Sequence, residues 1–276
     1  MIIDAHQHYW NPNRGDYTWM PVDNPILYRT YLPQDLHPML DHFGIRRTVL
    51  VQAAASIHET EYLLGLADIT ESIAGVVGWV DFEAPGDLLH LERLSQHPKF
   101  LGVRPMIQDI KDVDWMLRED VQWAYQALID LDLTFDALGF PQHQPNFQAL
   151  LNRYPDMRVV LDHCMKPQIR SNGFDAWASG IERLAKDTGA YVKLSGLVTE
   201  AAADWQIDDL RPYADHVLAQ FGADRIMWGS DWPVCQLNAP YERWHDVAKT
   251  LTDPLSEAEK ARIFGGTAID FYGIKP

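Results

Sequence analysis

The sequence predicts a (β/α)8 barrel, the TIM-barrel architecture, and three observations carry that prediction. Eight short apolar runs rich in Val, Ile and Leu recur along the chain, each followed by polar turn residues. The intervals between them are long enough for a helix each, and 276 residues suit a barrel that usually takes about 250. The runs are Ile2–His6, Thr48–Ala53, Ala74–Asp81, Leu101–Met106, Leu133–Leu138, Arg158–His163, Tyr191–Ser195 and Arg225–Gly229. Strand and helix in alternation require parallel strands joined by right-handed crossovers. Helical spacing is readable at Leu36–Phe43, with Pro33 and Pro38 near its start, and at Phe174–Thr188. The segment Ser256–Phe264 opens with Ser-Glu-Ala-Glu, a capping-box pattern, and is expected to close the outer ring. The rival architecture is an open doubly wound sheet. Against it, the first strand leads into a long aromatic segment with Tyr9, Trp10, Tyr17 and Trp19, where that fold places a Gly-rich phosphate loop.

No Gly/Ser-rich or Pro-rich tract divides the chain, so a single domain spanning 1–276 is expected. Lys and Arg number 23 against 39 Asp and Glu, a formal net charge of −16. That field repels a phosphate backbone and no basic run offsets it, so no nucleic-acid partner is expected. Two cysteines, Cys164 and Cys235, are too few for a disulfide framework and form no C-x-x-C motif, which suits a reducing cytoplasm. The N-terminal Met-Ile-Ile-Asp-Ala-His shows no basic region before an apolar stretch, so a cytoplasmic chain without a signal peptide is expected. The most apolar uncharged stretch, Ile73–Val80, is far short of the roughly 20 residues of a membrane helix. No membrane partner is expected.

Side chains alternate along a strand, which places Asp4, His6 and His8 on one face of the first run and Ile3 and Ala5 on the other. An isolated H-x-H arises often by chance. What adds weight is that other apolar runs also end in polar residues: His163 after Val-Val-Leu-Asp, Arg104 after Phe-Leu-Gly-Val, and Asp231 in Gly-Ser-Asp-Trp-Pro. Gln52 and Asp81 follow the same rule on the second and third strands. Barrel enzymes keep their chemistry at these C-terminal strand ends. A carboxylate for acid/base work, imidazoles that donate or bind metal, and a guanidinium that grips an oxyanion together make the equipment of a hydrolase. Ser195 and Ser230 lie beside these groups, but neither occupies a G-x-S-x-G elbow. Cys164 is expected to face away as a small buried hydrophobe. Lys193, in mid-strand, needs a buried partner, and an ion pair with Asp4 is the expectation ahead of the functional alternative, substrate binding. His58 and His143 fall in loops at the site end, whereas His37, His42, His90, His97, His216 and His245 read as surface or packing histidines. Trp10, Trp19 and Trp232 adjoin the site and suit stacking on a sugar ring.

Five segments, Ile-Asp-Ala-His-Gln-His-Tyr-Trp (3–10), Gly-Val-Arg-Pro (102–105), Leu-Asp-His (161–163), Lys-Leu-Ser-Gly-Leu (193–197) and Gly-Ser-Asp-Trp-Pro (229–233), carry a family resemblance. The chain resembles the amidohydrolase superfamily, of the amidohydrolase 2 type. It looks most like the lactone-hydrolase branch that holds L-fuconolactonase, L-rhamnonolactonase and 2-pyrone-4,6-dicarboxylate lactonase. The resemblance implies a distorted barrel that opens a sugar lactone, an aldonolactone of the L-fucono or L-rhamnono kind, to the aldonic acid. It implies His6, His8, His163 and Asp231 as the catalytic set, with Asp231 activating water. Arg104 is implied as a substrate contact, and Gln52, Asp81, Trp10, Trp19, His143 and Trp232 complete the expected substrate-binding set. Two-metal members carry a lysine on the fourth strand and a histidine on the fifth, where this chain has Arg104 and Asp136, so a binuclear centre is not expected. No cofactor is strictly required in this reading, because an activated ester needs only donors and a base. One divalent metal, zinc, is accommodated on His6, His8, His163 and Asp231. The alternative within the superfamily is a metal-dependent nonoxidative decarboxylase, which shares the histidine pair and the Gly-Ser-Asp ending but has a longer chain. A non-catalytic sugar-binding barrel would keep Trp10, Trp19 and Arg104 and would not need Asp231 beside three histidines.

Overall fold

Each of the eight apolar runs forms a strand in a computed structural model, which describes residues 1–275. The strands are β1 (Ile2–Gln7), β2 (Ile45–Val51), β3 (Ile73–Gly78), β4 (Phe100–Val103), β5 (Thr134–Ala137), β6 (Val159–Leu161), β7 (Tyr191–Leu194) and β8 (Ile226–Trp228). They pair in parallel, in chain order. The ring closes just beyond the ends of β1 and β8. There Gln7 bridges Trp232, Asp231 N donates to His6 O at 2.8 Å, and His8 N donates to Trp232 O at 2.7 Å. Closure leaves neither of the open sheet edges that the doubly wound alternative would have.

Among the described residues, helices α1 (Pro33–Phe43), α2 (Ile57–Ile69), α3 (Leu88–Ser95), α4 (Gln122–Asp130), α5 (Gln144–Arg153), α6 (Phe174–Asp187), α7 (Leu197–Glu200) and α8 (Ile207–Phe221) connect the strands, and α9 (Tyr241–Leu251) is the first to follow β8. Pro33 begins α1 where an N–H would lack a partner in any case, and Gly44 ends it at φ +66°. None of the described helices is long and apolar enough to cross a membrane.

The last segment differs from expectation. Its capping box forms, with Ser256 N donating to Glu259 Oε2 at 2.8 Å and Glu259 N to Ser256 Oγ at 3.3 Å. The helix it starts, α10 (Glu257–Ala261), then gives way to a wide turn over Arg262–Gly266. At Gly265 an added Cβ would lie 2.2 Å from Met1 O, so only glycine lets the turn pass this close to the chain start. The chain continues as α11 (Thr267–Tyr272), whose Phe271 and Tyr272 pack against Ile3, Ala5, Val49, Val51, Val77, Val160 and Met227 from inside the barrel. The segment therefore plugs the barrel as well as adding to its outside. Each large apolar side chain buried there contributes roughly 1.5–3 kcal/mol.

Two further expectations are corrected inside the barrel. Asp4 pairs with Thr48 and Gln7 with Leu50, so three steps on β1 face two on β2. This bulge breaks the alternation. Ile3 and Ala5 line the interior, His6 joins them, and Asp4 is left on the opposite side, where its Oδ2 accepts from Tyr241 of α9 at 3.1 Å. Asp4 therefore does not share a face with His6 and His8, and it cannot reach Lys193. The Lys193 ammonium lies instead 2.5 Å from Asp136 Oδ2 and 3.0 Å from Asp162 Oδ1.

Candidate active site

The seam between β1 and β8 places the central carboxylate. Gly229 lets the strands approach, since a Cβ there would lie 2.7 Å from His6 Cβ. Two residues on, Asp231 adopts φ +56°, a left-handed conformation that Asp tolerates better than most residues. Its Oδ1 then lies 3.3 Å from His8 Nε2, 3.8 Å from His6 Nε2 and 3.8 Å from His163 Nε2.

His163 arrives by a route with no sequence signal. Strand β6 stops at Leu161, and His163, Cys164, Met165 and Lys166 follow with φ of 51°, 51°, 57° and 45°. A run of four non-glycine left-handed residues is costly, about 1–2 kcal/mol each, and local bonds hold it. Lys166 N donates to His163 O at 2.8 Å, and the Trp177 indole donates to Cys164 O at 2.7 Å. The expected strand over Arg158–His163 thus ends early. Cys164 is buried as expected, but it is positioned by the turn, not by strand alternation, and burial pushes its thiol up to about 12.

Each imidazole is fixed from behind. His8 Nδ1 meets Val51 O at 2.7 Å; a carbonyl only accepts, so Nδ1 carries the proton and Nε2 presents its lone pair to the centre. His163 Nδ1 meets Ser195 Oγ at 2.9 Å, and His6 Nδ1 lies between the Lys193 ammonium at 3.1 Å and Asp162 Oδ1 at 3.4 Å. Ser195 is thus an orienting group. Ser230 Oγ accepts from Trp232 N at 3.0 Å and serves the loop.

Burial is the largest influence on every one of these groups. It pushes His163 down to about 4 and His6 and His8 below the usual histidine range, so all three are neutral at pH 7. Burial opposes ionisation of Asp231 too, but the imidazoles of His163, His8 and His6 outweigh it and hold the carboxyl below the ordinary carboxylate range. Neutral imidazole and ionised carboxylate are the forms that bind a metal. The geometry agrees: ligand atoms of His6, His163 and Asp231 lie within 4.8 Å of one another, and His6 Nε2 is 3.2 Å from His8 Nε2. Ligands of a tetrahedral zinc are spaced about 3.3 Å apart, so small side-chain movements would bring the His6, His163 and Asp231 donors onto one ion, with His8 beside them.

Above this cluster opens a cavity of about 300 Å³, lined by His8, His163, Asp231, Arg104, Trp10 and Trp19 among the expected residues. Trp10 meets Trp19 edge to face at 5.9 Å, and the Trp19 indole donates to Ala53 O at 2.6 Å. Arg104 reaches it from β4, with Nη2 donating to Gln52 O and Nη1 3.4 Å from His6 Nε2.

Four expected substrate contacts do not line the cavity. Gln52 is wholly buried, its amide donating to Arg104 O at 2.6 Å. Asp81 caps its own loop, accepting from Glu83 N at 2.8 Å. His143 accepts from Phe140 N at 3.0 Å at the start of α5, and Trp232 packs edge-on against Tyr31 at 4.9 Å. His58 lies in α2, away from the lining. Cavity residues without a sequence signal are Met106, Gln108, Asp109, Leu138, Lys166 and Val234. Asp162, just past the end of β6, faces Lys193 and is within reach of Asp136 through it, a pairing that no single run of the sequence announces.

The floor of the Trp19 wall rests on Glu59, whose carboxylate accepts from Ala53 N and Ala54 N, each at 3.0 Å. Burial pushes it up to about 7 from 4.5, despite these two amides. Glu59 therefore takes up a proton on folding in that window, and the unfolding free energy falls as pH rises through it, by up to about 3 kcal/mol. Asp4 and Asp136, pushed up to about 6, act in the same direction, whereas His6, His8 and His163, held neutral by burial, add stability as pH rises through the ordinary histidine range. The Glu59 share is therefore read by comparing the protein with its own Glu59 variant. In urea unfolding, Glu59→Gln is expected to gain stability relative to the wild type as pH rises from 5 to 8, and a difference between the two that stays constant over that range would assign the proton to another group.

The sequence profile of the family described as Amidohydrolase matches residues 3–274. An L-fucono-1,5-lactonase of Burkholderia ambifaria is 42% identical over 276 residues, covering 99% of this chain and 95% of that one. An L-fucono-1,5-lactonase of Burkholderia multivorans is 36% identical over 292 residues, covering 99% and 96%. Among solved structures, an amidohydrolase of Burkholderia multivorans with bound zinc superposes with a TM-score of 0.94 at 35% identity, over 100% of both chains.

Proposed function

Because the chain belongs to the amidohydrolase family, we propose that it is a lactone hydrolase opening a sugar lactone, L-fucono-1,5-lactone or a close aldonolactone, to the aldonic acid. The observation that carries this reading is the convergence of one ionised carboxylate and three neutral imidazoles beneath a cavity walled by two indoles. The indoles offer apolar faces to a sugar ring. Asp231 orients a water and takes its proton as the oxygen attacks the ring carbonyl. Arg104 supplies donors for the oxyanion, in a site where burial strengthens them. Protonated Asp231 then returns the proton to the departing ring oxygen. His6, His8, His163 and Asp231 would hold a zinc ion, which supplies Lewis acidity when bound. The reading takes the chain as one domain, acting on a small molecule in the cytoplasm. Two buried free thiols, Cys164 and Cys235, support that compartment.

The test is acid release above the uncatalysed rate from a panel of aldono-1,4- and 1,5-lactones, with metal content measured on the same sample. Fastest turnover of an L-configured 6-deoxy lactone is the expected result. No release above background from any lactone overturns the reading.

A further inference from the structure

Below the imidazole cluster runs a buried ionic chain that the chemistry above does not use. Tyr272 of α11 donates to Asp136 Oδ2 at 2.8 Å, and the same oxygen receives the Lys193 ammonium at 2.5 Å. The ammonium is also 3.0 Å from Asp162 Oδ1 and 3.1 Å from His6 Nδ1, so it meets the imidazole directly as well as through Asp162. Asp162 then divides its oxygens, with Oδ1 3.4 Å from His6 Nδ1 and Oδ2 3.5 Å from Arg104 Nη1. Asp136, Asp162, Lys193 and His6 are wholly buried, and Arg104 nearly so. Two carboxylates face two cations, so the set can balance its charge. Dehydrating four charges is seldom offset by the stability they return, and apolar replacements of such sets are often neutral or stabilising. Its position points to a service at the upper end of the chain. Neither Asp162 oxygen receives a well-directed hydrogen bond, so charge ties it to its three neighbours. Two of those neighbours are the imidazole and the guanidinium whose 3.4 Å approach shapes the site.

We propose that Asp162 is the positioning residue of this site, holding His6 and Arg104 in register, and that Lys193, Asp136 and Tyr272 anchor it from the far end of the barrel. The inference rests on the lactone-hydrolase reading for its kinetic readout. Its metal readout is separate.

Asp162→Asn keeps the shape and removes the charge, while Tyr272→Phe removes one hydroxyl on the plugging helix. Zinc affinity is read by competition with a chromophoric chelator, and kcat and KM on the lactone that the wild type opens fastest. Asp162→Asn is expected to weaken zinc binding roughly 10–100-fold, the usual effect of losing a group behind a metal-binding histidine. It should also lower kcat and raise KM, with Tyr272→Phe moving the same quantities severalfold in the same direction. Wild-type zinc affinity, kcat and KM in both variants, with only the melting temperature reduced, would make the chain a scaffold and overturn the proposal. If Asp162→Asn does not fold, Tyr272→Phe decides alone, and wild-type values in it overturn the proposal. A wild type that binds zinc but opens no lactone removes the hydrolase reading and leaves zinc affinity to judge Asp162. A wild type that opens lactones without taking up zinc leaves kcat and KM as judge.

Discussion

Asp231→Asn is expected to lower kcat by at least ~10²-fold, the scale of a lost general base. The substitution is close to a pure removal of chemistry. Asn has the size of Asp and also tolerates the left-handed backbone found here at φ +56°. The backbone bond from residue 231 to His6 O at 2.8 Å does not involve the side chain, so the β1–β8 seam should survive. An amide cannot take a proton from water, however, and it can turn its NH2 toward the His8 Nε2 lone pair, which now faces Asp231 at 3.3 Å. The measurement is kcat on the best lactone of the panel, with a thermal melt to verify the fold. Near-normal turnover would remove Asp231 from the role of base. Because the imidazoles hold the wild-type carboxyl ionised well into acid, its loss should depress activity equally at pH 6 and pH 8.

The barrel was legible because burial writes itself into composition: a strand covered on both faces needs an apolar run, and eight of these stand at helix-length intervals. The polar ends of those runs were legible for the same reason, since His163, Arg104 and Asp231 interrupt patterns that would otherwise continue. Departures from regular backbone were not. The β1 bulge shifts Asp4 to the opposite side without any glycine to announce it, and the left-handed run from His163 to Lys166 contains none either. Partner choice in the interior was missed through the same error. Strict alternation puts Asp4 on the inner face as a partner for Lys193, whereas the bulge turns it away and leaves the ammonium to the carboxylates on β5 and after β6. The cavity walls were the least readable part. Met106, Gln108, Leu138 and Val234 come from loops whose paths depend on packing against one another.

Arg104→Lys should be the other damaging change, because the position uses the planar fork and not the charge alone. One arm, Nη2, donates to Gln52 O, while the other, Nη1, stands 3.5 Å from Asp162 Oδ2 and 3.4 Å from His6 Nε2. A lysine ends in one nitrogen and cannot serve the Gln52 carbonyl and the Asp162 carboxylate while still offering a donor to substrate. Drawn toward Asp162, the ammonium would leave the cavity; drawn toward the cavity, it would leave a buried carboxylate undercompensated. Losing one charge-assisted hydrogen bond, about 1.5–3 kcal/mol, corresponds to a roughly 10–10²-fold fall in kcat/KM. The loop itself should hold, since Gln52 donates to the backbone carbonyl of residue 104 at 2.6 Å and that bond is indifferent to the side chain. Separate measurement of kcat and KM on the best lactone therefore reads the guanidinium and not a displaced strand end. A lower kcat with a raised KM is expected for a group that touches substrate and also braces the site. An unchanged kcat/KM with a lowered melting temperature would confine Arg104 to holding β2 and β4 together through Gln52.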